Sequence, residues 1–307
     1  MIDYTDCVSQ APINSPAYIP DRVSTTFKAQ SAQTPSWQKW YNESANAYVC
    51  SLFFEIPESM GPPVFMYYRL TNFYQNHRRY VQSLQLDQLK GTAVPNSTIS
   101  GGTCDPLATD PVSKKAYYPC GLIANSRFND TIDSPIFLGD QQTYYNMTKK
   151  GIAWDSDKAL IKKTKYQPWE VVPPPNWSGY NGTYTSENMP NLNDDEDFMV
   201  WMRTAGLPSF SKLARRNDDT AMPKGNYQLN ITDRTSGLFI ITRCFTNHGV
   251  EFNVTEYDGT KSILISTRTV LGGKNPFMGI GYVVVGGVCV LLGALFTVAH
   301  LVRPRYD

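Results

Sequence analysis

The sequence predicts a mainly β protein: an antiparallel β-sandwich ectodomain with long loops and short helices, followed by a single C-terminal transmembrane helix. The β reading rests on residues 225–270, where β-branched and aromatic residues alternate with polar ones between short turns. Long loops follow from 21 Gly and 21 Pro among 307 residues, and the membrane helix from an apolar run at 277–302. With 13% aromatic and only 18% charged residues, the composition excludes a disordered chain and a coiled coil.

Along the chain, residues 1–47 mix Pro, Ser, Thr and Asn with isolated aromatics such as Trp37, Trp40 and Tyr41, and read as an irregular strap. The first clear strand is 64–70, introduced by Pro62 and Pro63, with Val64, Met66 and Tyr68 on one face and Phe65, Tyr67 and Arg69 on the other. Residues 72–84 read as a turn leading to a short helix. The stretches 92–118 and 155–195 are dense in Pro, Gly, Asn and Ser and carry sequons, so glycan-covered surface is expected there. A helix is expected between Asp194 and Leu213, because Asp194, Asp195, Glu196 and Asp197 complement a helix N-terminus and FMVWMRTAGL supplies an apolar face. Pro208 should end it. Strands follow at 226–232, 237–245, 250–257 and 262–270, the last three separated by turns at Asn247-His248-Gly249 and Asp258-Gly259.

From Phe277 to Val302 the only ionisable side chains are Tyr282, Cys289 and His300, and a helix of this length reaches about 39 Å, enough to cross a hydrocarbon core. Arg303 and Arg305 follow it while Lys274 precedes it, which places the tail 303–307 in the cytosol. Eight of the 20 asparagines open Asn-x-Ser/Thr sequons, where chance gives roughly three. They are Asn42, Asn96, Asn129, Asn146, Asn176, Asn181, Asn230 and Asn253, all before the span. Residues 1–274 are therefore expected to be a glycosylated exoplasmic domain, and 275–302 the membrane helix. Because MIDYTDCVSQ shows neither a basic nor an apolar signal region, an upstream signal or earlier span is expected, giving two crossings with both ends cytosolic.

Six cysteines include one, Cys289, inside the span. Spacing does not fix connectivity among the rest. Loop closure favours Cys104 with Cys120 and Cys7 with Cys50, leaving Cys244 free. No Cys/His cluster has zinc spacing, so neither metal nor cofactor is expected. His77, His248 and His300 lie far apart, and G-x-S-x-G, H-E-x-x-H and P-loop motifs are absent. Residues 1–274 hold 26 basic and 26 acidic side chains, a balance that argues against nucleic acid as a partner. His77-Arg78-Arg79, beside Phe73, Tyr74 and Tyr80, could hold an anionic lipid headgroup, which would suit a pump-independent headgroup-binding membrane receptor. In the apolar span Gly279, Gly286 and Gly293 recur every seven residues, a small-residue stripe suited to docking on another helix.

Six ordered segments carry a resemblance over nearly the whole chain: FMYYRLTNFYQNHRRY (65–80), PCGLIANSRFNDT (119–131), GIAWDSDK (151–158), DEDFMVWMRTAGLP (195–208), GNYQLNIT (225–232) and GGKNPFMGIGYVVVGG (272–287). Together they resemble the cell division control protein 50 family, accessory β-subunits of type IV P-type ATPases, the phospholipid flippases, with the fungal branch most similar. The resemblance implies two membrane spans, a β-sandwich exoplasmic domain, N-glycans, at least two disulfides and no catalytic residue. It implies that a catalytic α-subunit hydrolyses ATP and moves phospholipid, while this chain supports that subunit's folding, ER exit and cycling in the secretory and endosomal membranes. By position it favours glycans at Asn129 and Asn230 and fits the Cys104–Cys120 and Cys7–Cys50 pairs. It also places Asn275, Pro276 and Phe277 at the opening of the second span, whose glycine stripe would face the pump.

Overall fold

The computed structural model describes residues 1–9, 18–29, 31–233, 258–267 and 276–302. Its strands are β1 (Ile2–Asp3), β2 (Ser36–Asn42), β3 (Ala47–Ile56), β4 (Val64–Leu70), β5 (Ala116–Tyr117), β6 (Thr131–Ile132), β7 (Ile136–Leu138), β8 (Gln142–Tyr144), β9 (Val171–Val172), β10 (Phe210–Asn217), β11 (Gly225–Asp233) and β12 (Lys261–Ser266). The helices are α1 (Thr5–Ser9), α2 (Arg78–Gln82), α3 (Leu86–Leu89), α4 (Asn96–Ser100), α5 (Leu122–Asn125), α6 (Asp155–Leu160), α7 (Glu196–Met202) and α8 (Pro276–Val302). Met1–Thr267 form one compact unit and Arg268–Asp307 another.

Period-two patterning builds the sandwich. In β3 the alternate residues Cys50, Leu52, Phe54 and Ile56 turn inward, and β11 lies antiparallel with Ile231, Leu229 and Tyr227 opposite the first three. Phe54 and Tyr227 stack across the pair, their centroids 5.9 Å apart. One sheet runs β2-β3-β11-β7-β8, with β6 also on β11; the facing sheet runs β1-β12-β4-β10. From the second sheet Val64, Met66, Tyr68, Leu70, Ala214 and Ile263 join the same apolar core. Both sheets are antiparallel, as the sequence predicts.

Several expectations are corrected. Residues 1–47 are no mere strap: they hold β1, α1 and β2, and β2 and β3 form a hairpin preceding the strand read as first. Its turn ends on Asn46, whose φ of 47° is left-handed, a conformation Asn tolerates. Phe65 and Tyr67, on the face of β4 opposite the core, are buried as well. Strands β11 and β12 lie in different sheets. The strands read at 237–245 and 250–257 fall outside the described residues, as do Cys244 and His248.

The helix expected between Asp194 and Leu213 is α7, and it stops at Met202, well before Pro208. Its end has a physical cause in Lys212 of β10. The Lys212 ammonium donates to the carbonyls of Val200 (3.0 Å), Trp201 (2.8 Å) and Arg203, taking acceptors that another helical turn would need. Burial, with Arg203 adding to it, lowers the pKa of Lys212 to about 7.

The Pro/Gly-rich stretches 92–118 and 155–195, expected as glycan-covered surface, keep Asn96 and Asn181 exposed but also send apolar side chains inward. Ile99, Leu107, Tyr118, Tyr166, Trp177 and Leu192 pack with Phe198 and Met199 of α7 into a second apolar core. A short parallel pair, β5 with β9, ties the two stretches together. Cys104 and Cys120 are bonded inside this core with Cα atoms 5.7 Å apart, and Cys7 is bonded to Cys50 at 5.9 Å, which pins α1 to β3. Replacing Cys104 and Cys120 by Ser frees a loop of 16 residues and should cost about 3 kcal/mol. Limited proteolysis without reductant should then cut the variant first within 92–118; a cleavage pattern like that of the parent would count against this loop as the stabilised element.

Candidate functional site

Where the sandwich meets the second core, a cleft of about 440 Å³ opens, lined by residues of both. Its construction starts at Gly121, whose φ of 100° is left-handed and where a Cβ would overlap the carbonyl oxygen of Ser83; only glycine fits. The turn launches α5, whose last carbonyls accept from Arg127 N (Ala124, 3.3 Å) and from the Ser126 hydroxyl (Ile123, 3.2 Å). Two indoles add a second bond to each: Trp201 Nε1 donates to Ile123 at 2.7 Å and Trp177 Nε1 to Ala124 at 2.9 Å.

Residues 127–132 then run along the cleft as one wall. Arg127 binds Asp195 through two nitrogens, at 2.7 and 3.0 Å, and lies 5.7 Å from the ring centroids of both Trp177 and Phe198. Asp195 caps α7 as well, accepting from the Phe198 amide at 3.0 Å. Lys149 pairs with Asp197 at 2.6 Å. Phe128 stacks on Tyr68 with centroids 4.0 Å apart and planes 2° from parallel. Beneath it, Asp130 receives two 3.0 Å bonds from the Lys261 ammonium and one of 2.9 Å from the Tyr4 hydroxyl.

The floor comes from β10. The register of β10 on β4 shifts between Leu213 and Arg215, and this irregularity brings Leu213, Ala214 and Arg215 together to the cleft. Arg215 Nε donates to the carbonyl of Ile132 at 2.6 Å. Burial lowers the pKa of Arg215, and Asp197 and Asp133 work against that shift. Burial alone dominates at Tyr68, whose hydroxyl is held well above its ordinary range. Three cations and three carboxylates line the cleft, and Arg127 and Lys149 are each matched within it. This electrostatic balance fastens chain segments to one another; it does not present a surplus charge to an ion. Among the described residues no histidine lines the cleft, and no group of three His, Cys, Asp or Glu could hold a metal.

The sequence-predicted sites scatter around this cleft. Asn96, Asn146 and Asn181 are exposed, Asn42 ends β2, and Asn230 sits in β11 with its Oδ1 accepting from Ser51 at 2.8 Å and Gln228 at 2.9 Å. Asn129 and Asn176, remote in sequence, both line the cleft. Asn253 and Asn275 lie outside the described residues. His77-Arg78-Arg79, at the start of α2, is exposed, with Arg79 paired to Asp105 at 3.2 Å, and takes no part in the cleft. The aromatic and charged lining, Arg127, Lys149, Trp177 and Asp197 above all, escaped the sequence reading. The available signal was that Arg127 and Asp195 each sit within a segment already singled out, PCGLIANSRFNDT and DEDFMVWMRTAGLP.

The second unit contains α8, 27 residues long, of which Tyr282–Val302 has a mean hydropathy of 2.3 and is long and apolar enough to cross a membrane. Pro276 takes the first helical position, and Phe277 and Gly279 fall in the same helix. A Cβ placed on Gly286, Gly287 or Gly293 would meet no atom, so the stripe is open along the described part of the helix. Thr297 returns its hydroxyl to the carbonyl of Gly293 at 2.8 Å, satisfying itself within the helix.

Residues 1–306 match the LEM3 (ligand-effect modulator 3) family / CDC50 family. The chain is 38% identical to the phospholipid-transporting ATPase accessory subunit CRF1 of Saccharomyces cerevisiae over 99% of its own length and 73% of the relative's. It is 40% identical to the phospholipid-transporting ATPase accessory subunit CDC50 of Chaetomium thermophilum, covering 99% and 75%. With cell cycle control protein 50A of Bos taurus the identity is 38%, covering 82% and 68%.

Proposed function

This chain belongs to the LEM3/CDC50 family, and from that premise we propose that it is the non-catalytic accessory β-subunit of a phospholipid-transporting P-type ATPase. The observation that carries the reading is the match, over 99% of this chain and 72–75% of theirs, to relatives named as accessory subunits of such ATPases. It is a regulatory subunit and not an enzyme. Its partner is the catalytic α-subunit of a type IV pump, which hydrolyses ATP and moves phospholipid toward the cytosolic leaflet. This chain supports the pump's folding, its exit from the ER and its catalytic cycle along the secretory and endosomal route.

Residues 1–274 are the exoplasmic domain, modified at sequons of which Asn129 and Asn230 are the best placed in the family segments. Residues 275–302 cross the membrane with the glycine stripe against the pump, and 303–307 are cytosolic. The rival reading, a pump-independent headgroup receptor, is not favoured: His77, Arg78 and Arg79 are spread on an exposed turn, and Arg79 is already paired.

Purification of the tagged full-length protein from its own membranes in a gentle detergent tests the assignment. A large polytopic ATPase in near-equal amount is the expected companion. Recovery of the chain alone, folded and with no ATPase, would overturn it.

A further inference from the structure

The cleft joins two features that the accessory role does not use: a pair of sequon asparagines and a pair of stacked aromatic rings, all in its lining. Trp177 and Tyr180 stack 5.7 Å apart with planes 29° from parallel, and both line the cleft with Asn129 and Asn176. A pyranose ring has an apolar C–H face that packs on an aromatic ring, and a rim of hydroxyl and amide groups that exchange hydrogen bonds with planar polar side chains. Such partners stand at the same cleft, in the Arg127–Asp195 and Lys149–Asp197 pairs. Their charges are already matched, which suits a neutral, hydroxyl-rich ligand better than an anion.

We propose that the cleft is an intramolecular carbohydrate site, in which the inner N-acetylglucosamine residues of a glycan on Asn129 lie against Tyr180 and Trp177. The glycan then clamps the wall at 127–132 to the segment at 176–180 and bridges the sandwich to the second core. Asn129 is favoured over Asn176 by its exposure. The former is exposed, whereas Asn176 is half-buried, its amide N–H held by Asn125 Oδ1 at 3.0 Å, and the following Trp177 is fixed in the second core. Tethering makes weak stacking sufficient, because a ligand fixed beside its site acts at a high effective concentration. The inference rests on the exoplasmic, glycosylated reading given above.

The test uses the full-length protein purified with its pump. Glycopeptide mapping first establishes whether Asn129 is occupied; an unmodified Asn129 overturns the glycosylation reading at this position and the cleft assignment with it. On occupied protein, peptide N-glycosidase under native conditions should release the Asn129 glycan about tenfold more slowly than those on the exposed Asn96 and Asn146, as a docked fraction of about nine-tenths requires. Denaturation should equalise the rates. Tyr180→Ala should bring native release at Asn129 up to the reference rate, and Tyr180→Phe, which keeps the ring, should retain the protection. Equal native rates in the parent, or protection that survives Tyr180→Ala, overturns the cleft assignment while leaving glycosylation itself intact.

Discussion

Asp130→Ala is expected to destabilise the ectodomain by about 3–5 kcal/mol, enough to consume much of an ordinary domain's stability. The Asp130 side chain is fully buried and that of Lys261 is 10% exposed, so deleting the carboxylate strands an ammonium with little access to water. The Tyr4 hydroxyl loses its acceptor in the same step. Because Tyr4 follows β1 and Lys261 opens β12, the damage reaches the N-terminal strand, whose neighbouring Thr5 also accepts from the Lys261 amide at 2.8 Å. Pairing Asp130→Ala with Lys261→Met should recover a large part of the loss, since a buried pair costs more when broken than when both charges are removed. Both variants keep Asn129-x-Thr131, so a glycosylation defect cannot mimic the result. Thermal melts in detergent provide the measurement. A single variant within 1 kcal/mol of the parent, or a double variant no better than the single, would contradict the ion-pair account.

How legible all this is in the sequence depends on where each residue's partner lies. Strand β4 and the inward triplet Tyr227, Leu229 and Ile231 could be read because alternation is local, and residues two apart must share a face. β3 was harder: AYVCSLFFEI is nearly continuous in apolar residues, and the clear polar beat that marks a half-buried strand is missing. The second core was misread for a different reason. Composition dense in Pro, Gly and Asn marks turns correctly, yet it says nothing about whether the aromatics between those turns, Tyr118, Tyr166 and Trp177, converge. The cleft was the least legible part, because Arg127 meets Asp195, and Asp130 meets Lys261, only across long separations that no local period encodes. The acidic run at 194–197 illustrates both sides: its capping role at Asp195 follows from helix electrostatics, while its second role as the partner of Arg127 needs the fold.

The largest functional effect is expected in α8. Substituting Leu for both Gly286 and Gly293 should reduce co-purification of the pump by about tenfold or more, which corresponds to about 1.4 kcal/mol or more in the pairing equilibrium. Lipid chains are as apolar as leucine, so burial of apolar surface gives little drive for two membrane helices to associate; close backbone packing must supply it. Glycine permits that approach. A seven-residue repeat advances an α-helix by two turns less about 20°, so Gly279, Gly286 and Gly293 stay on nearly one face. Nothing in the described chain fills the space beside Gly286 or Gly293, so leucine there should leave the chain's own fold intact while blocking a neighbouring helix. Ala at both positions should fall between parent and Leu, since a single methyl moves the partner less. Val284→Leu and Val288→Leu, about 160° around the helix from Gly286, alter apolar bulk on the opposite face and should leave association unchanged. If those two weaken association as much as the glycine variants do, the helix contributes only general apolarity; if the Gly286/Gly293 pair binds the pump as the parent does, the stripe is not the contact face.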